Sequence, residues 1–220
     1  GVAWFLSTPV GLNYFYELFN YAGQPGYEEW RSWQMPSSVN PFLPAEEIEV
    51  ARRELPDLAF RQEFLAEFIS SDGTVFRGVD AVLTAPATTP AEHRNHHLVG
   101  GVDWGKSHDF TVISIFCVDC KCEVDIDRFN QVGWDFQRGR LSAIAEKWNV
   151  ADLLVETNSI GDPNLAELRK ILPEGMNAIG KNMNSKTKPK FVQDLAIAIE
   201  HQRGRWLPHR QGRFELVSYA

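Results

Sequence analysis

Apolar and polar positions alternate along the chain with two periods, about two in some runs and three to four in others, and their order predicts an α/β protein. The clearest stretch is residues 98–116, where an apolar run rises to Asp103, a short Gly- and Ser-containing turn follows, and a β-rich run returns. That pattern predicts a hairpin with a carboxylate at its open end. A strand over 123–132 leads into a helix over 135–148, with Phe136, Leu141, Ile144, Ala145 and Trp148 on one face. The short apolar run 151–155 then ends in a second carboxylate, Glu156. A hairpin and a crossover helix separate the two acidic ends, so the second strand can lie parallel to the first and beside it. Asp103 and Glu156 then emerge at one sheet edge, where they can bind a metal together. An isolated Asp103 would read as a turn cap; the repeat of the design at Glu156 favours the site.

Beyond Glu156, Asp162 and Pro163 suit the N-cap and first residue of a helix to about residue 171. A strand over 176–179 and a helix over 191–201 follow. Ahead of the hairpin, residues 1–9 read as a buried strand stopped by Ser7, Thr8 and Pro9, and 12–21 has helical spacing. Residues 23–44 are rich in Gly, Pro and Ser, with Trp30 and Trp33 in an extended stretch. Two helices come next, the second over 57–68, where Phe60, Phe64 and Phe68 beside Leu65 form a core stripe. Residues 70–97 are turn-forming and poor in periodicity, which marks a boundary. The expected division is 1–70, a linker over 71–97, and a second domain over 98–220.

Composition sharpens this picture. The 220 residues suffice for one generous domain or one domain plus part of another, and the start at Gly1 without Met reads as a piece of a longer chain. With 44% hydrophobic residues and seven Trp, a packed core is expected. The 22 basic and 29 acidic residues give a net charge of −7, against a general electrostatic grip on nucleic acid. The cations are unevenly placed, however. Lys181, Lys186, Lys188 and Lys190 fall within ten residues, and Arg203, Arg205, Arg210 and Arg213 follow. They read either as a solvated loop or as a phosphate-contacting edge beside the acidic site. No apolar run approaches the roughly 20 residues of a membrane span, and no signal-peptide pattern opens the chain. Three Cys suit a reducing compartment.

Two clusters remain. His93, His96 and His97 have no Cys or carboxylate partner at metal-ligand spacing, so a solvated linker is the expectation. Cys117, Cys120 and Cys122 could begin a zinc site, but no second pair follows, so reduced structural thiols are expected. A G-x-x-x-x-G-K-[ST] phosphate loop is missing, which leaves no ATP-binding half within the sequence.

Five stretches carry a family likeness in order: residues 6–16 (LSTPVGLNYFY), 60–68 (FRQEFLAEF), Gly101-Val-Asp-Trp-Gly with Asp109 and Thr111, Val155-Glu-Thr-Asn158, and Asn184-Ser-Lys186. Together they resemble the large terminase subunit of tailed bacteriophages. The resemblance implies the tail of a P-loop ATPase domain over 1–70, then an RNase H-like mixed central sheet flanked by helices over 98–220, incomplete at its C-terminus. It implies a motor and endonuclease that cuts concatemeric double-stranded DNA and drives it into a procapsid, with the portal protein and small terminase subunit as partners. Its place would be the cytoplasm of the infected bacterium, at the procapsid portal, with no membrane involved. Ser7 and Thr8 match the ATPase coupling motif, and ATP would serve only the full-length protein. Asp103 and Glu156 match nuclease carboxylates that hold two Mg²⁺ or Mn²⁺ ions, and Asp109 matches a further acidic position. The family's third carboxylate lies in a later His/Asp-rich motif not present before Ala220, so either the chain stops short of it or Asp194 substitutes. Lys181, Lys186, Lys188 and Lys190 would contact the DNA backbone. Competing readings are a non-catalytic DNA- or portal-binding module of the same fold, an RNase H-like recombinase, and an actin-like or sugar-kinase-like ATPase. The last would need a second Gly-rich loop, which the sequence lacks.

Overall fold

A computed structural model describes residues 1–70, 75–105, 109–158 and 161–219, so the 106–108 part of the hairpin turn and the 71–74 part of the linker lie outside the described residues. The chain forms two compact units, one of Gly1–Val75 with Ser218–Ala220 and one of Phe76–Val217.

In the first unit, Asn13 caps α1 (Tyr14–Phe19) by accepting from the Phe15 and Tyr16 amides. Two further helices follow, α2 (Ala45–Glu54) and α3 (Asp57–Leu65). Phe60 is buried and stacks on Phe64 at 5.3 Å between centroids. The helical run expected through residue 68 ends at Ala66, which adopts a left-handed conformation. Phe68 instead leaves the helix and meets Phe15, Tyr16 and Phe19 of α1. Residues 1–9 form no strand; a strand needs a hydrogen-bonding neighbour, and no other described residue of this unit is in a strand. Trp4 and Phe5 instead stack on Trp33 and Trp30.

The second unit is built on a five-stranded sheet of order β3-β2-β1-β4-β5, comprising β1 (Leu98–Asp103), β2 (Thr111–Cys117), β3 (Cys122–Phe129), β4 (Asp152–Glu156) and β5 (Asn177–Lys181). The first three strands pair antiparallel as a meander, and β4 and β5 add in parallel beside β1. This is the RNase H-like mixed sheet, with β4 parallel to β1 and beside it, as the intervening hairpin and crossover helix allow. Alternate residues line the core in rows across strands, Ile115–Gly100–Leu153 and Ile113–Val102–Val155. Against them pack α5 (Trp134–Trp148), through Leu141, Ala145 and Trp148, and α6 (Gly161–Ile171), through Leu165 and Leu168. The helix α6 starts at Gly161, so Asp162 and Pro163 occupy its first turn. Two elements complete the unit's C-terminal part, α7 (Thr187–Glu200) and α8 (Arg210–Ser218).

Residues ahead of β1 are packed rather than solvated. Phe76, Ala85 and His93 are buried, as are Val79 and Val82 of the short helix α4 (Val79–Val82). Residues 205–207 run along the outer edge of β3, where Arg205 pairs in parallel with Cys122. The Glu123 amide donates to the Arg205 carbonyl at 2.8 Å. Burial pushes the Glu123 carboxyl up, while Ser114 Oγ at 2.6 Å and the Leu207 amide at 3.0 Å donate to its oxygens.

The inner face of α5 differs from the expected one in a single informative position. Phe136 is exposed and Gln137 is buried. Thr111 Oγ1 donates to Gln137 Oε1 at 2.6 Å and accepts from the Gly105 amide at 2.8 Å, while Gln137 Nε2 donates to the carbonyls of Val132 and Gly105. This buried bracket fixes the chain two residues after Asp103. Gly105 has no room for a side chain, because a Cβ there would lie 2.3 Å from the Phe110 carbonyl carbon and 2.6 Å from that of Asp109. Thr111→Val should therefore cost about 1–3 kcal/mol in urea unfolding by stranding the Gly105 amide and Gln137. Gly105→Ala should cost more than Gly100→Ala, whose methyl presses on the side-chain ends of Leu153 and Ile115 and is worth about 1–3 kcal/mol. Equal losses for the two alanines would argue against a rigid hairpin.

Candidate active site

Parallel pairing of β1 with β4 places Val102 opposite Val155, and both are buried. Alternation then turns the next residue of each strand, Asp103 and Glu156, to the other face at the same end of the sheet. Glu156 stands close enough to bear on the charge of Asp103. Two like charges side by side disfavour the ionised form of the group. Asp103 is exposed as a residue, yet protein packed around its carboxyl strips away hydration. That desolvation, then the hydrogen bond and charge of Glu156, push the Asp103 pKa up to about 7. Lys188 opposes the shift and Asp109 adds to it, so both charges are felt at Asp103.

Glu156 is held from its own strand end. Its Oε1 accepts from Asn158 Nδ2 at 2.5 Å. Asn158 also donates to the Met183 carbonyl at 2.6 Å and accepts from the Met183 amide at 2.9 Å. The Thr157 amide meanwhile donates to the Lys181 carbonyl at 3.0 Å, which carries the β4–β5 ladder past Glu156. Asn158 thus clasps the chain leaving β5 and aims the carboxylate in one step. On the Asp103 side, Trp104 packs edge-on to Trp134 at 6.1 Å, next to the Thr111–Gln137–Gly105 bracket.

The cationic segment reaches this edge, although its helix begins earlier than expected. Asn184 Oδ1 accepts from the Lys186 and Thr187 amides at 2.9 and 3.0 Å, which starts α7 at Thr187 rather than at residue 191. Lys188 and Lys190 are therefore helical, and the charge of Lys188 bears on Asp103. Lys181 stands in register with Glu156 at the end of β5, its Nζ 5.6 Å from the Phe191 ring centroid. Lys186 precedes α7, and Lys190 pairs with Asp194 at 3.4 Å. Asp109 is exposed in the β1–β2 connection. Among the described residues, no third acidic, His or Cys ligand joins Asp103 and Glu156 in a cluster tight enough for a shared ion. Ser7 and Thr8 lie exposed in the first unit, with Ser7 Oγ donating to the Thr8 carbonyl. Asn158, Thr111 and Gly105 stand in the motif stretches of the sequence reading without a role assigned to them, and Gln137 is not singled out there.

No family model matches the chain. The large terminase subunit of Thermus virus P23-45 is 32% identical over 225 aligned residues, covering 91% of this chain and 45% of the relative. The chain thus spans about half the length of the curated relatives it matches. Among solved structures, the large terminase nuclease of thermophilic phage G20c with bound magnesium superposes with a TM-score of 0.59 at 23% identity, covering 67% of this chain and 80% of that one. The large terminase of a second thermophilic bacteriophage superposes over 96% of this chain and 53% of its own, at a TM-score of 0.65 and 15% identity. These likenesses carry the fold.

The carboxyl pair has a consequence for metal-free stability. The folded Asp103 pKa of about 7 lies above its ordinary 3.8, so the contribution of this group is full below 3.8 and is lost as pH rises through about 7. Asp103→Asn, uncharged at every pH, should raise the melting temperature in EDTA by a few degrees at about pH 8 and by clearly less at about pH 5, where only part of the contribution has been lost. Calorimetric scans at both values test this, and a larger gain at the acidic one would contradict the pairing.

Proposed function

The chain belongs with the large terminase subunits of bacteriophages over nine-tenths of its length, and from that premise we propose that its second unit is a metal-dependent endodeoxyribonuclease cutting concatemeric double-stranded DNA. The observation that carries this reading is the placement of Asp103 and Glu156 side by side at two parallel strand ends. Residues 1–70 are the tail of an ATPase motor domain, 71–97 the connection, and 98–220 the nuclease domain. In the full-length protein, cutting is coupled to ATP-driven movement of DNA into a procapsid, and Ser7 and Thr8 serve that coupling. The portal protein and the small terminase subunit are the partners, at the procapsid in the infected host cell.

The donor set fits a hard divalent cation. Asp103 and Glu156 offer only oxygen, and the raised Asp103 pKa marks a place where a positive charge relieves two crowded acids. Mg²⁺ or Mn²⁺ suits such ligands, a two-ion site taking its further ligands from Asp109 and a carboxylate beyond this pair. When bound, the ions supply an activated water and neutralise charge developing at the scissile phosphate. The chain's own groups do the rest. Asp103 releases its proton to become a ligand, which makes metal uptake tighter as pH rises through about 7. Asn158 keeps Glu156 aimed at that position. Lys188 and Lys181, at the same edge, hold the DNA backbone, and Lys186 and Lys190 extend the contact along the start of α7. Contacts of this type track phosphates and read no bases, which suits cutting largely independent of sequence.

Nicking of supercoiled plasmid with Mn²⁺ tests the proposal. The chain should nick, while Asp103→Asn and EDTA should each abolish cleavage. DNA binding that persists without any cleavage, in a chain extended at its natural C-terminus as well, would leave a non-catalytic binding module instead. Lys188→Ala should weaken DNA binding uniformly across sequences and lower the slope of log affinity against log salt by about one.

A further inference from the structure

At the opposite end of the sheet from Asp103, four side chains that looked unrelated in the sequence converge. His93 and His96 come from the segment ahead of β1, Cys117 from the end of β2 and Cys120 from the turn between β2 and β3. One ligand atom from each of the four lies within 4.8 Å of those from the others. The expectation of a solvated histidine linker fails here, because His93 is buried and packs edge-on to Trp148 at 6.0 Å.

The separations have the dimensions of a metal cage. Zinc bonds of about 2.3 Å to sulfur and about 2.0–2.1 Å to nitrogen give tetrahedron edges of about 3.3 Å between nitrogens and about 3.6 Å between nitrogen and sulfur. The two histidine Nδ1 atoms stand 3.2 Å apart. His96 Nδ1 lies 3.5 Å from Cys117 Sγ and 3.4 Å from Cys120 Sγ, and His93 Nδ1 lies 3.9 Å from Cys120 Sγ.

The surroundings prepare these ligands. Thr88 Oγ1 spends its single proton on Glu92 Oε2 at 2.9 Å, so it meets His93 Nε2, also at 2.9 Å, as an acceptor. The ring proton of His93 is thereby fixed on Nε2 and the lone pair on Nδ1 faces the cysteines. The Cys120 amide donates to Cys117 Sγ at 3.3 Å, which ties that sulfur to the turn. The turn itself is braced by Val118 N donating to the His97 carbonyl at 3.0 Å and by His97 N donating to Asp119 Oδ2 at 2.6 Å. His97 turns away, its Nε2 3.9 Å from Asp152, and Cys122 is outside the group.

We propose that His93, His96, Cys117 and Cys120 form a structural zinc site that staples the segment entering β1 to the β2–β3 turn. With four protein ligands it has no open position, so it takes no part in hydrolysis. Leu98 pairs with Cys117 at one end of β1 and Asp103 with Val112 at the other, five residues or about 17 Å away along the strand, which keeps this ion apart from the carboxylate edge.

Elemental analysis of the purified chain should find stoichiometric zinc, retained by Asp103→Asn and by Cys122→Ser and lost from the Cys117→Ser/Cys120→Ser pair. Replacing zinc with Co²⁺ in the unaltered chain should give the intense visible bands of a tetrahedral, thiolate-bound ion. This readout does not depend on the variants folding. A chain without zinc, a weak octahedral cobalt spectrum, or zinc that leaves with Asp103→Asn would overturn the proposal. Because neither readout involves DNA cleavage, failure of the nuclease reading leaves this test intact.

Discussion

Two carboxyl groups forced together at neighbouring strand ends are the constraint around which the second unit is arranged. Asp103 and Glu156 would repel if both were charged, and loss of hydration makes this worse, so the Asp103 pKa is pushed up to about 7 in the metal-free structure. Such crowding persists only if both backbones are fixed by something stronger. The strand register fixes their height, with Val102 and Val155 locked in the core directly behind them. Beyond the strands, separate polar devices hold the two chains, the Thr111–Gln137–Gly105 bracket on one side and the Asn158 clasp on the other. Both are satisfied hydrogen-bond networks, the kind of support that keeps two crowded carboxyl groups in position.

Much of this was legible in the sequence because it follows from local pattern. The apolar climb to Asp103, the returning β run and the crossover helix before Glu156 implied antiparallel and then parallel neighbours, and the sheet has that order. What stayed hidden came from contacts between distant residues. Gln137 was unreadable as a core residue, since its burial depends on a hydroxyl 26 positions earlier in the chain. Phe136 took its place in the expectation because hydrophobicity alone cannot tell which side of a helix faces a polar bracket. The run at 1–9 is apolar enough for a strand, but hydropathy does not say whether a partner strand stands beside it. The early start of α7 depended on an Asn184 cap three residues ahead of the helix, inside a segment whose lysines suggested a loop. For the histidines and cysteines, each half was seen and set aside for want of the other. The β1–β2 hairpin lies between them, and only its folding brings its two ends together.

The kinship with large terminase subunits extends over both units, whereas the chain spans about half of those relatives' length. The acidic edge belongs to the second unit, which contains every strand of the sheet. At the start of α7, Lys188 and Lys190 stand within one turn of each other in a chain whose net charge is −7.

The sheet's mixed topology also sets an order of assembly. The β1–β2–β3 meander joins residues close in sequence, but β1 meets β4 only by pairing Val99 with Asp152, 53 positions further on. Closing that longer loop costs more chain entropy, so the parallel pairing follows the hairpins. As the polypeptide leaves the ribosome, Asp103 sits at the end of a formed hairpin while Glu156 has yet to be synthesised or docked. The acidic pair comes into being only with that long-range pairing of β1 and β4, and a chain caught short of that step carries one carboxylate and no partner for it.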